Sequence, residues 1–170
     1  MGLITPDSPV ARGARAGGQL DDEVYHRLLQ ERIIFLGSVV EDSMANAIAA
    51  QLLLLAAEDS EKDIYLYINS PGGSLCDAFA LIDMMKHSKH YIRTIGLGSV
   101  ASAAFLIFAS GSRGYRLASN NASFMSHQYS DSLTGKHHDL KATMKDGELL
   151  NKRMIGLLKD ATGLPMAKVK

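Results

Sequence analysis

The sequence predicts an α/β domain built on a mainly parallel sheet. Two observations carry this: short runs rich in Ile, Tyr and Leu alternate with longer stretches of helical period, and the runs close on glycine-containing turns. Strands separated by crossover helices pair in parallel.

In chain order, Ile33–Leu36 is a β-branched and aromatic strand ending at Gly37. Glu41, Asp42 and Ser43 then open a helix to about Glu58, with Ser43 as the expected N-cap. Ile64–Ile68 is a second strand, closed by Asn69-Ser70-Pro71-Gly72-Gly73. A helix from about Cys76 to His87 puts Ala78, Leu81, Ile82 and Met85 on one face. Tyr91–Leu97 is a third strand, followed by Gly98 and a helix from about Ser102 to Ser110. Short strands are expected at Tyr115–Ala118 and Ala122–Ser126, and a long polar helix from about Asp139 to Asp160, broken at Thr162-Gly163. Leu164-Pro165 reads as the start of another helix.

A chain of 170 residues, 46% of them hydrophobic, fits one domain with one core. Residues 1–20, rich in Gly, Ala, Pro and Arg without periodicity, read as a flexible N-terminal arm, leaving 21–170 as a single domain. Lys plus Arg and Asp plus Glu each number 18, so no charge excess points to nucleic acid or an anionic membrane. Cys76 is the only cysteine, which excludes an internal disulfide and fits a reducing compartment. The first twenty residues lack the apolar stretch of a secretory signal, and the most apolar runs, 44–57 and 100–109, fall short of the roughly 20 residues that span a bilayer. The expectation is a soluble, cytoplasmic protein. Within 44–57 only Asn46 and Gln51 interrupt an apolar surface that covers every face, so part of this helix is expected to meet another subunit.

Three stretches offer chemistry. Ser70-Pro71-Gly72-Gly73 can present backbone N–H groups to an oxyanion, or can be a simple turn. Gly98-Ser99-Val100-Ala101-Ser102-Ala103-Ala104 is a strand-to-helix junction of small residues. Ser102 there is an N-cap or a nucleophile, and Ser99 remains open beside it. It departs from the Gly-x-Ser-x-Gly elbow because Val100 and Ala104 occupy the glycine positions. Phe124-Met125-Ser126-His127-Gln128 brings a histidine to a strand exit, where it can serve as a base. The other five of the six histidines, His26, His87, His90, His137 and His138, lie in polar surroundings and read as solvated surface. No set of ligands suits a metal, and no phosphate loop or dinucleotide fingerprint is present.

The segments 25–37 and 63–74, Gly-x-x-Ala-Ser at 98–102, Met-x-His-Gln at 125–128 and Thr162-Gly163 together resemble the Clp protease proteolytic subunit (ClpP) family, from about Tyr25 to Gly163. The resemblance implies a ClpP-like peptidase domain of crotonase-like fold: repeated ββα units in a head, with a handle of a strand and a long helix at Tyr129–Lys136 and beyond. It implies a serine endopeptidase without cofactor, with Ser102 as nucleophile, His127 as general base, and the N–H groups of Gly73 and Ala103 as the oxyanion hole. It further implies two stacked heptameric rings, a tetradecamer, that cleave peptides and unfolded proteins delivered by an AAA+ unfoldase, with neither nucleic acid nor membrane as partner. The alternative is a catalytically weak ring subunit that assembles with an active paralogue, and a third reading is an acyl-CoA enzyme of related fold. Ala103 and Ala104 stand where the family has Met and Gly, and Tyr129 where it has Pro. The triad aspartate is not within residues 1–170: Asp131, Asp139, Asp146 and Asp160 match no family aspartate of that role, and family spacing puts it a few residues past Lys170.

Overall fold

The computed structural model describes residues 22–58, 61–130, 132 and 134–169, so the arm expected at 1–20 lies outside them. The elements run α1 Asp22–Gln30, β1 Ile33–Leu36, α2 Asp42–Glu58, β2 Ile64–Ser70, α3 Leu75–His87, β3 Ile92–Ala101, α4 Ala103–Ala109, β4 Arg116–Ala118, β5 Ser123–Met125, α5 His137–Thr162 and α6 Met166–Val169. The five strands form one parallel sheet in the order β1-β2-β3-β4, with β5 continuing along β3 beyond β4.

Alternation along the strands decides which face is covered. Ile34 and Leu36 of β1 and Ile64, Leu66 and Ile68 of β2 are at most 1% exposed. They join one apolar cluster with Ile48, Leu52 and Leu55 of α2 and Leu81, Ile82 and Met85 of α3. The residues between them on the strands, Phe35, Tyr65, Tyr67, Ile95 and Leu97, are only half-buried. Parallel sheets ordinarily have both faces covered. Here helices of the same chain cover one, and the other carries a half-open aromatic and aliphatic surface.

The ββα repeat is visible in reduced form. After β1 the chain reaches Val40, and after β2 it reaches Gly73, and these two residues form a parallel bridge before α2 and α3 begin. The bridge is closed by Val40 N–H to Gly72 C=O at 2.9 Å and Ser74 N–H to Val40 C=O at 2.8 Å.

Several expectations shift. Helix α1 adds to the expected elements, with Val24, Tyr25, Leu28 and Leu29 recurring at helical spacing. Ser43 is not the cap of α2: the first helical bond joins Ala45 N–H to Glu41 C=O, while Ser43 Oγ donates to the Glu41 carboxylate at 3.0 Å. Ser74 caps α3, accepting Asp77 N–H at 3.3 Å. β3 does not stop at Leu97 but runs through Gly98 to Ala101. The apolar α2 buries Ala45, Ile48, Leu52 and Leu55, yet Leu53 and Leu54 stay 57% and 47% exposed. Among the described residues, 126–136 form no strand, so the strand expected in the handle is not seen there.

Two sets of arginine bonds tie the periphery to the core. Arg32, with φ at +59°, places its guanidinium on the carbonyls of Leu55, Lys62 and Asp63 at 3.0–3.1 Å, joining the end of α2 to the start of β2. Arg113 and Arg116 donate to the carbonyls of Asp160 and Ala161 at 2.7 and 2.8 Å, satisfying groups that the last turn of α5 leaves open. That fixes where α5 lies, and its Met154 and Leu158 are buried in the same core. Leu81→Ala is expected to lower the unfolding free energy by about 2–5 kcal/mol, because Leu81 lies in the packed layer between α3 and the sheet. Denaturant titration checks this, and a change under about 1 kcal/mol would contradict the placement of the core.

Candidate active site

Strand β3 has two partners on the edge away from β2. Its first half pairs with β4 at Thr94–Gly96, and its last residues, Ser99, Val100 and Ala101, pair with Ser123, Phe124 and Met125 of β5. The next residue, Ser102, continues that ladder by donating its backbone N–H to Met125 C=O at 2.8 Å. Ser102 and His127 therefore leave the ends of two bonded strands side by side. His127 Nε2 lies 2.8 Å from Ser102 Oγ.

The other ring nitrogen decides the proton. His127 Nδ1 lies 2.6 Å from the carbonyl oxygen of Gln128, which can only accept, so Nδ1 carries the hydrogen. Nε2 is left with its lone pair facing the Ser102 hydroxyl. This is the tautomer that takes a proton from serine.

Ser102 sits at φ 54°, ψ −125°, a left-handed conformation for a residue with a side chain. Such a residue costs on the order of 1–3 kcal/mol and persists where its surroundings hold it. Here the Met125 bond holds its N–H, and its C=O accepts from Phe105 at 3.0 Å and Leu106 at 3.3 Å. Ala103 and Ala104 behind it are fully buried. The sharp bend lifts Oγ out of the helix, and no side-chain cap bond forms, so the plain N-cap alternative for Ser102 does not hold.

The glycine pair lies directly against this bend. Gly72 has φ +93°, and a Cβ there would stand 2.6 Å from both Ser102 Cβ and Ala101 O. Its N–H donates to Ser70 Oγ at 3.1 Å, and Ser70 is 1% exposed, so a buried hydroxyl pins the turn. At Gly73 the bridge to Val40 uses Gly72 C=O and Ser74 N–H. In a parallel bridge of that pattern the N–H of the middle residue points to the other side. Ala103 is in the first turn of α4, before the i→i−4 bonds begin.

Gly73, Ser102, Ala103 and His127 line one groove of about 540 Å³. Its apolar wall is Leu75, Leu106, Leu150, Met154 and Tyr129, and exposed Cys76 lies at its rim. A second groove of about 510 Å³ on the far side of segment 126–129 is lined by Asn151, Ile155 and Leu158. Tyr129, which lines both, rests on α5 at Gly147, where a Cβ would lie 3.2 Å from its ring.

Ser99, left open by composition, is engaged elsewhere: its N–H bonds the Asn69 side chain, and its strand partner is Ser123. His90 is buried rather than solvated, with Nδ1 3.0 Å from Ser88 Oγ, while His26, His87, His137 and His138 are exposed. His138 faces Asp139 at 3.8 Å on the surface. Asp131 lies outside the described residues. Among the described residues no group of three or more His, Cys, Asp or Glu could hold a metal, and no helix is long and apolar enough to cross a membrane.

A family model described as Clp protease matches residues 16–170. The chain belongs to the Clp protease family. It is 45% identical over 168 residues to the ATP-dependent Clp protease proteolytic subunit 3 of Streptomyces avermitilis, a match covering 99% of this chain and 76% of the relative. It is 43% identical over 170 residues to proteolytic subunit 1 of Mycobacterium leprae, covering 100% of this chain and 83% of the relative. Subunit 1 of Streptomyces coelicolor is 43% identical over 169 residues, 99% of this chain and 77% of its own length. The core accommodates the methyl group of Ala104 at 0% exposure.

In the sequence, Asn69 and Ser70 are turn residues without a role of their own, and the structure puts the side chains of both to use beside the site. A polar residue at the last inward position of an otherwise apolar strand is the available signal for Ser70. Gly72→Ala is expected to slow fluorophosphonate labelling of Ser102 by about 100-fold or more, since the new methyl must push the bend or the turn out of place. Labelling at the wild-type rate would contradict the close packing of Gly72 on Ser102.

Proposed function

We propose that this chain is a serine endopeptidase subunit of a Clp-type compartmentalised protease. The 2.8 Å contact between Ser102 Oγ and His127 Nε2, with Nδ1–H committed to a carbonyl, carries the reading. His127 takes the proton as Ser102 attacks the peptide carbonyl, and returns it to the leaving amine. The developing oxyanion is met by the N–H groups of Gly73 and Ala103, each donor of this kind being worth roughly 10²–10³ in rate. Water then hydrolyses the acyl-enzyme, activated by the same imidazole. The apolar groove wall of Leu75, Leu106, Leu150 and Met154 suits an apolar substrate side chain next to the scissile bond.

Assembly into two stacked heptameric rings is part of the proposal. Leu53 and Leu54 on α2 and Val39 beside it are large apolar groups left about half exposed, as one face of a ring contact requires. The relatives are named ATP-dependent proteolytic subunits, and this chain shows no phosphate-binding loop of its own, so we assign the ATP-dependent step to an AAA+ unfoldase partner. The half-open sheet face around Tyr65, Tyr67, Ile95, Leu97 and the 52% exposed Leu117 is the surface we assign to that partner. The compartment we assign is the cytoplasm, which the lone free thiol suits.

One observation supports the weaker-subunit reading, in which the chain joins an active paralogue. The Gln128 carbonyl orients His127 but is neutral, so it stabilises the imidazolium less than a carboxylate does. Rings of this chain alone separate the readings by their turnover of a fluorogenic peptide. Ser102→Ala and His127→Ala are each expected to lower that rate by about 10³-fold or more. Turnover unaffected by Ser102→Ala would end the protease proposal. Leu53→Asp is expected to shift the assembly to smaller species on size-exclusion chromatography, and an unchanged elution volume would remove α2 from the ring contact.

A further inference from the structure

Strands β2 and β3 pair regularly from Ile64 opposite Ile92 to Ile68 opposite Gly96, and the ladder resumes with Ser70 opposite Val100. Between those points a single residue of β2, Asn69, faces Leu97, Gly98 and Ser99 of β3. The excess on β3 is even, so Val100 returns to the buried face, but the strand is displaced and turned. Such a bulge leaves ladder amides without strand partners. The Asn69 side chain supplies one: its Oδ1 accepts Ser99 N–H at 3.1 Å. Gly98 takes φ +51° beside it, and a Cβ at Gly98 would lie 2.7 Å from the same Oδ1, so the carboxamide occupies the mouth of the bulge.

The reactive segment begins immediately beyond the bulge. Ser99 is the first residue to pair with β5, that pairing ends at Ala101 with Met125, and Ser102 N–H completes it. The start of this second ladder sets how far Ser102 reaches along β5, and hence its distance to His127. Asn69 itself lines neither groove, so it acts through the backbone and not on substrate.

We propose that Asn69 is a positioning residue of the hydrolytic site. Its side-chain oxygen holds the β3 bulge in the register that aims Ser102 at His127 and turns Ala103 N–H toward the groove. The inference rests on the protease reading above. It differs from a general contribution to stability in requiring an acceptor oxygen at that place, in a protein that is otherwise folded.

The test compares wild type, Asn69→Ala and Asn69→Asp in the assembled protein, scoring the rate of fluorophosphonate labelling at Ser102 and peptide kcat and KM per titrated active site. Asn69→Ala is expected to lower labelling rate and kcat per site by about tenfold, the effect of losing the one bond that holds Ser99 N–H in the bulge, with KM within about twofold. Asn69→Asp keeps an oxygen at the same position and is expected to stay within about threefold of wild type. Wild-type rates per site in Asn69→Ala, or equal losses in Ala and Asp, would overturn the proposal and leave the protease reading standing. So would an Asn69→Ala protein that cannot fold, since the oxygen would then be holding the fold and not the aim. Absence of Ser102 labelling in wild type would instead remove the protease reading and this inference together.

Discussion

The backbone N–H of Ser102 donates to the carbonyl of Met125 across 2.8 Å, and the chemistry of the site descends from that bond. It is the last rung of the ladder between β3 and β5, and it is shared by the two segments that carry the proposed nucleophile and base. Ser102 is the first residue after β3 and His127 the second after β5. Flexible side chains meeting by chance would spend much of their time apart. Two strand ends locked in register hold their side chains within hydrogen-bond distance without a large entropic cost at the moment of reaction. On the proposed reading the sheet is part of the mechanism as well as the scaffold.

The same bond lets the chain sustain strain. Ser102 adopts a backbone conformation that costs on the order of 1–3 kcal/mol, in a domain whose whole stability is typically about 5–15 kcal/mol. Its surroundings over-determine it: Met125 takes the N–H, two amides of α4 take the C=O, and Ala103 and Ala104 fill the space behind. Gly72 is packed so tightly on the bend that no side chain fits between turn and serine. Small residues at 72, 73, 103 and 104 are therefore a steric requirement of bringing two backbone segments and the Ser102 hydroxyl to one groove. The apolar wall comes from further away, since Leu150 and Met154 belong to α5, whose last turn is held by Arg113 and Arg116.

Much of this was legible in the residues. The alternation in Ile64–Ile68 and the β-branched run at Ile33–Leu36 reported strands because one face of each is fully buried, which is what a period of two records. The family resemblance brought Ser102, His127, Gly73 and Ala103 forward together, and the structure lines one groove with all four. The features that escaped have tertiary causes. Helix α1 is the exception, since Val24, Tyr25, Leu28 and Leu29 do recur at helical spacing, although over nine residues only; it packs through Leu29 while Val24 remains 45% exposed. Gly98 reads as a strand end because glycine usually is one. Here it is the hinge of a bulge filled by a side chain almost thirty residues earlier, a contact with no local signature. His90 looks solvated among polar neighbours, but it is buried, with the hydroxyl of Ser88 as one of its partners. The apolar surface of α2 is visible in the sequence, although its division into a packed face and an open one depends on where the sheet lies.

The most direct test of the account is a crystal structure of the assembled protein with a peptide boronate, whose tetrahedral adduct imitates the attacked carbonyl. A bond from Ser102 Oγ to boron, His127 Nε2 beside it, and one boronate oxygen within about 3 Å of the N–H groups of both Gly73 and Ala103 is the predicted result. An adduct on another residue, or an oxygen turned away from Gly73 and Ala103 with His127 withdrawn from Ser102, would contradict it.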